Sequence, residues 1–463
     1  MHNSLKIAAA IAAALGANSA FAYTYQTFAA DHVINLAGSS AFQTNLENNL
    51  NTACSSLFKF TDNINNKDFI AYDCVVADAT FGTANGQRVL LTYRLDGGSV
   101  WGPPVIALQK PVSHIVQPAA TAAPGPACPA AASVGAFPVK NVCTNVGVGF
   151  TLNLDGVSAA TPAAGLVREI PDWGISDVDA ARLSGENWVD NTTGSGYLGV
   201  TPPTKAQLNN IAAPITTTLI GQVFSPLVNT AGPAGGLSSL SKTDISSIVT
   251  GNYTDWSQVP NAARTGTLAA GAIKICRRDA GSGTQALASV FFDGATCSNS
   301  SNPFKAANTI SPNFAGPFIQ NNSTGDMLTC VSSNPNAIGF AVIDTTQTVM
   351  TNNGGNVKAI GVDGVVQSKA NAANASYQYW AEAVSTVNYN DPNASNSGNI
   401  KGDFIIGMEG KLSNGATVTP SDNLVILATV GSPTLPVTVL GAGNPVAIAT
   451  SQGNACLQFQ SQN

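Results

Sequence analysis

Four times along this 463-residue chain, a strand-like apolar run breaks at a glycine- and serine-rich turn and then opens a helix-like pattern. The segments are "AGSSAF" (Ala37 to Phe42), "DGGSV" (Asp96 to Val100), "GISDVD" (Gly174 to Asp179) and "RRDAGSGTQALASVFF" (Arg277 to Phe292). Strand and helix patterns that alternate in this way argue for an α/β fold. After the first turn, Phe42, Leu46 and Leu50 recur every four residues, as on one face of a helix. After the last, Leu287, Val290 and Phe291 also lie on one helix face, at i, i+3 and i+4.

The first 22 residues are expected to be a secretory leader. They carry Lys6, the apolar run "IAAAIAAALGA" and an A-x-A signal at Ala20-Phe21-Ala22. Tyr23 follows, not a cysteine, so a lipid anchor is not expected. No later apolar run reaches the length needed to cross a bilayer. A periplasmic or secreted protein without membrane insertion is the expectation. About 440 further residues are enough for two domains or one two-lobed unit. The expected division is a first lobe over 23–221, a second over 222–340, and a return to the first over 341–463 with a C-terminal extension. A Pro-, Ala- and Gly-rich insertion is read at about 103–150.

Charge narrows the partners. The net charge of −6 becomes −7 once Lys6 is removed, and charged residues make up only 10% of the chain. Nucleic acid or an anionic membrane would need a basic face, which such a chain lacks. All eight cysteines follow the leader and none are spaced as C-x-x-C. An even count in an exported chain reads as disulfides. Local pairs Cys54–Cys74 and Cys128–Cys143 are expected; spacing does not assign Cys276, Cys297, Cys330 and Cys456.

The arginine-containing turn carries the clearest chemistry. The first turn of a helix has N–H groups without intrahelical partners and partial positive charge, which together attract an anion. Gly281 and Gly283 allow close backbone approach, Ser282 and Thr284 add hydroxyls, and an arginine adds a planar fork suited to oxyanions. A nucleotide P-loop would need a lysine that is missing here, and "AGSGT" does not fit the G-x-S-x-G elbow of a serine hydrolase. Beyond the leader the chain has only His32 and His114, too few for a triad or a metal site. The competing reading is an ordinary capped helix with solvated arginines. Four such turns converging on one point would bind an anion without any net positive charge.

These segments resemble the phosphate-binding proteins of ABC importers, a branch of the two-lobed type 2 periplasmic binding proteins. "RRDAGSGT" looks like the arginine–aspartate–GSGT loop of that family, "NLAGSSAF" is similar to its first helix-start loop, and "WGISD" to its G-x-S-D loop. "IVTGNYTDW" and "NAIGF" match further pieces, in the same order along the chain. The resemblance implies a fold of two lobes, each a mixed sheet flanked by helices, with a ligand cleft between them. It implies that Arg278, Ser282, Gly283 and Thr284 bind the anion, with Ser40 and the backbone of Ala41 from the first loop, Asp177 from the G-x-S-D loop and Ser99 from the second. Arg277 is read as structural or solvated. Two departures stand out: Asp279 follows Arg278 directly, and Ala41 takes a place where the family often has phenylalanine.

A carboxylate inside an anion site is repelled unless the ligand brings a proton. Phosphate near neutral pH has one and sulfate does not, so Asp177 would discriminate between them. The alternative is that Asp177 simply favours the first turn of a helix. The resemblance implies a monomeric solute-binding protein, without cofactor or catalysis, that hands inorganic phosphate to an ABC permease. Two other readings stay open: binding of another protonated oxyanion, such as arsenate or a phosphorylated small molecule, and an extracellular scaffold that keeps the fold. A phosphatase is more distant, since no metal cluster or activated nucleophile is visible.

Overall fold

The computed structural model describes residues 32–61, 69–95, 98–115, 166–178, 216–278, 281–293, 318–321, 324–342, 355–368 and 376–413, with a few short pieces elsewhere. The expected leader, Asp96, Asp279 and the side chains of Cys128 and Cys143 lie outside the described residues.

The first half of the fold is built from β1 (His32–Gly38), α1 (Gln43–Ala53), β2 (Cys54–Thr61), β3 (Phe69–Val76), β4 (Arg88–Arg94) and β5 (Trp173–Ser176). β1 lies between β4 and β5, parallel to both, while β3 runs antiparallel to β4 and β2 antiparallel to β3. Strands buried on both faces need near-continuous apolar runs, and β3 and β4 have them. The predicted helix stripe is the packed one: Phe42, Leu46 and Leu50 are fully buried with Ile34 and Leu36. Each such side chain contributes roughly 1.5–3 kcal/mol. Cys54 and Cys74 are joined across β2 and β3, as expected.

The second half comprises β6 (Thr216–Asn229), α2 (Lys242–Val249), β7 (Lys274–Arg278), α3 (Gly283–Asp293), β8 (Phe318–Asn321), α4 (Thr324–Ser333), β9 (Ala337–Val342) and β10 (Val357–Ala359). The chain then crosses back through β11 (Trp380–Val387) to α5 (Ile400–Ser413). Phe404, Ile405 and Met408 of α5 return to the first core. Ser241 caps α2 by accepting from the Asp244 N–H at 3.0 Å. A second disulfide, Cys276–Cys330, ties β7 to α4.

Both halves share one fourteen-stranded mixed sheet, in which the order β8–β7–β9–β6–β11–β5–β1–β4–β3–β2 runs without a break. β6 makes this possible. Its first residues pair with β11 (Thr216 with Thr386) and its later ones also with β9 (Phe224 with Val342), antiparallel in both cases. The architecture is therefore α/β, with a separate core beside each half of the sheet. The second core is aromatic: Phe291, Phe292, Phe340 and Tyr379 pack together, the Phe292 and Tyr379 ring centres 4.7 Å apart. Trp256 is buried there and donates its indole N–H to the Asn336 carbonyl at 2.9 Å.

The stretch read as an insertion begins inside the first half. Pro103–Ala107 forms a short helix that buries Val105 and Ile106, and Val112–Ile115 pairs antiparallel with Leu166–Glu169. Two prolines at its start suit this helix, because the first helical N–H groups have no partner to lose.

Candidate functional site

The turns that follow β1, β4, β5 and β7 meet where the two halves face each other. After β1 the backbone passes Gly38 at φ +133°, so close to β5 that a β-carbon there would sit 1.8 Å from the Ile175 carbonyl oxygen. Only glycine fits. The Ser39 N–H then donates to that carbonyl at 2.9 Å, and Ser39 Oγ accepts from the Ala41 N–H at 3.2 Å. The Tyr93 hydroxyl donates to the Ser39 carbonyl. Ser40 Oγ is buried without a hydrogen-bond partner among the described residues.

The turn after β4, Gly98–Trp101, carries Ser99, which is fully buried. It touches the second half directly: the Val100 N–H donates to the Gly281 carbonyl at 2.9 Å. Trp101 is held by Arg94, whose guanidinium lies 4.0 Å above the indole.

Asp177 follows β5 and is the meeting point. Ser99 Oγ donates to Asp177 Oδ1 and accepts from the Asp177 N–H. From the other half, Thr284 Oγ1 donates to Asp177 Oδ2 at 3.1 Å. The carboxylate is 2% exposed. Burial pushes its pKa up, and the Ser99 hydroxyl, the Arg278 charge, its own N–H and the Thr284 hydroxyl pull only part of that back. Such a carboxyl is poised to share a proton with whatever lies beside it.

The loop after β7 supplies the positive charge. Arg278, also 2% exposed, donates from Nε to the Asn321 carbonyl at 3.1 Å, which fixes one edge of its fork. Its charge acts on Asp177. The Ser282 carbonyl accepts from the Ala286 N–H at 2.9 Å, so α3 begins at this point and its first-turn N–H groups are turned toward the site. Arg277 is buried with its guanidinium 5.4 Å from the Phe318 ring. The solvated arginine is therefore not found; the structural one is.

Ser99, Asp177, Arg278, Ser282, Gly283 and Thr284 thus form one buried cluster drawn from both halves of the sheet. Ala41 packs with the second core, close to the same junction, and its N–H is occupied by Ser39. Sequence reasoning missed Asn321. It orients Arg278 through its carbonyl, while its side chain donates to the Arg277 carbonyl at 3.0 Å. Nothing local in the sequence marks it, because β8 must first be aligned with β7. Among the described residues no group of three or more His, Cys, Asp or Glu side chains could hold a metal ion. Among them, too, no helix is long and apolar enough to cross a membrane.

Residues 212–396 match the family model of the PBP superfamily domain. That span runs from the start of β6 through β11 and includes the arginine loop. A solved structure of a candidate phosphate ABC transporter substrate-binding protein with bound phosphate, from Clostridium perfringens, is similar over 81% of this chain and 93% of that one, at 12% identity and a TM-score of 0.43. PstS from Borrelia burgdorferi is similar over 81% and 92%, at 12% identity and a TM-score of 0.36. An ABC-type phosphate transport receptor from Vibrio cholerae is similar over 45% and 70%, at 22% identity and a TM-score of 0.31. No curated protein matches this chain.

Proposed function

We propose that this is an exported solute-binding protein that captures phosphate between its two lobes and delivers it to an ABC-type importer. One observation carries the reading: a buried carboxylate, Asp177, is bonded by hydroxyls from both lobes and faces the buried cation Arg278. A buried carboxylate beside an anion site is tolerated when the anion brings a proton to share. Hydrogen phosphate does so and sulfate does not.

The ligand would be held by the Arg278 fork, the Ser40 and Ser282 hydroxyls, and N–H groups at the start of α3, while the Ser99 and Thr284 hydroxyls, which donate to Asp177, hold its carboxyl in place beside the ligand. Charge-assisted hydrogen bonds of this kind contribute roughly 1.5–3 kcal/mol each, and a micromolar site needs about 8 kcal/mol. Five or six such bonds suffice after the costs of binding. Because the groups are buried, a ligand reaches them only when the lobes part, and closure around it removes the water.

The test is thermal melting of protein unfolded and refolded without phosphate, then supplied with millimolar phosphate or sulfate. Ligand that binds only the folded state raises the midpoint. A rise with phosphate alone supports the reading. A rise with both removes the role given to Asp177, and no rise with either points to a scaffold that keeps the fold. Arg278→Ala should abolish the phosphate effect while leaving the unliganded protein folded.

A further inference from the structure

Two fully buried polar side chains lie where the halves of the sheet join, and neither has a hydrogen-bond partner among the described residues. They are Gln222 on β6, with both Nε2 and Oε1 unpartnered, and Tyr379 just before β11, with its hydroxyl unpartnered. Buried polar groups are rarely left in this state, so each instance asks for a partner.

Their position relates them to the anion cluster. Gln222 pairs with Ala381 in the ladder between β6 and β11. Ala381 belongs to the second core and Ala383, two residues on, to the first, so Gln222 stands at the seam. Alternation along β6 puts Gln222 on the same face as Phe224, whose ring centre is 5.9 Å from that of Tyr379. Tyr379 also lies 5.0 Å from Phe291 on α3, the helix that presents Gly283 and Thr284. Burial, then Tyr377 and Asp177, push the Tyr379 hydroxyl pKa well up, so it stays protonated.

The chemistry of the pair selects the ligand. An amide offers one donating and one accepting end, and a phenol can do either. A bare phosphate could meet the donors, but its proton is already engaged by Asp177 in the proposed site. The Gln222 Oε1 therefore needs a second donor on the ligand, such as a hydroxyl. We propose that Gln222 and Tyr379 form a second polar subsite for a hydroxyl-bearing substituent on the phosphate, making the solute a phosphate monoester of a small polyol. This rests on the phosphate reading of the Asp177–Arg278 cluster. Such an ester keeps its proton to share only up to about pH 6, where its second ionisation lies, so the titrations that test it belong at or below that pH.

Calorimetric titration of the refolded protein with inorganic phosphate and with glycerol phosphate tests it. The ester should bind about tenfold tighter or better, and Gln222→Leu and Tyr379→Phe should each cut its affinity about tenfold while changing that of inorganic phosphate less than about twofold. Without ligand, both variants should melt no lower than the natural protein, because an unpartnered buried polar group is lost in each. Phosphate binding with no gain for the ester overturns the subsite and leaves the anion cluster standing. A lowered unliganded midpoint in both variants also overturns it, by exposing a structural bond. Failure of both ligands to bind removes the anion cluster itself, and the subsite with it.

Discussion

Gly283 and Asp177 approach so closely that a β-carbon on residue 283 would lie 1.9 Å from Asp177 Oδ1 and 2.8 Å from Ser99 Oγ. The start of α3 can meet the carboxylate only as bare backbone. This contact joins the two halves of the molecule through the very groups proposed to hold the ligand.

Gly283→Ala should therefore act on the site rather than on the cores. Overpacking of this kind costs typically 1–3 kcal/mol, which parting of the lobes would relieve. The expected outcome is a loss of phosphate-induced stabilisation with a small change in the unliganded midpoint. A variant that binds phosphate as the natural protein does would mean that the lobes already stand apart when ligand is held.

Asp177→Asn keeps the shape of the side chain and removes its charge. Sulfate, which has no proton to offer, should then raise the melting midpoint, and the preference for phosphate should shrink about tenfold or more. Parallel melting scans with the two anions read this directly. If sulfate stays inert in the variant, the carboxylate is not the discriminating group.

Loss of the Cys276–Cys330 bond should loosen the second half more than loss of Cys54–Cys74 loosens the first. The bonds close loops of 54 and 20 residues, for which chain entropy gives about 4 and about 3 kcal/mol. Cys276 also stands two residues before Arg278, so Cys330→Ala should weaken phosphate binding as well as lower the midpoint. Cys74→Ala should do only the latter. Equal effects on binding would deny the first bond any part in holding the arginine loop.

A pH effect is expected from Asp172, outside the candidate site. It accepts from the Asn35 N–H at 2.8 Å and from Lys401 Nζ at 3.1 Å. Burial pushes its pKa up to about 6, against the pull of Lys401 and the Asn35 N–H. Asp391, although partly buried, is held below the usual range by the Asn393 N–H, Asp172 and Lys401, so Asp172 is the partner that carries the proton. A folded pKa above the unfolded value of 3.8 means that folding takes up a proton. This contribution is complete below about pH 4 and lost as pH rises through about 6, roughly 3 kcal/mol in all. Urea unfolding between pH 4 and 7 should show the decline, and Asp172→Asn should flatten it. An unchanged slope in that variant would assign it to other groups.

Much of this fold can be read from local sequence because its signals are local. The stripe of Phe42, Leu46 and Leu50 and the capped start of α2 need only neighbouring residues, and they stand where the pattern puts them. The arginine loop is equally legible, since a strand, a glycine turn and a helix start lie within a dozen residues. What escaped depends on register between distant strands. Asn321 reaches Arg278 only because β8 lies beside β7, and Cys276 reaches Cys330 only because α4 packs over β7. Gln222 reads as an ordinary strand residue until its side chain is seen to lack a partner among the described residues. Pro103–Ala107 was hidden by composition: prolines that read as the start of an insertion open a buried helix.

The hydrogen bond from Val100 to Gly281, with the burial of Asp177 and Arg278 behind it, turns affinity into a question of timing. If ligand enters only during brief openings, the rate of capture should rise with ligand and then level off at the opening rate. Release would keep the same clock whatever competes outside. If the proposed reading holds, ligand would leave promptly only to something that pries the site open, so a receiving partner would act as a lever and not merely as a sink.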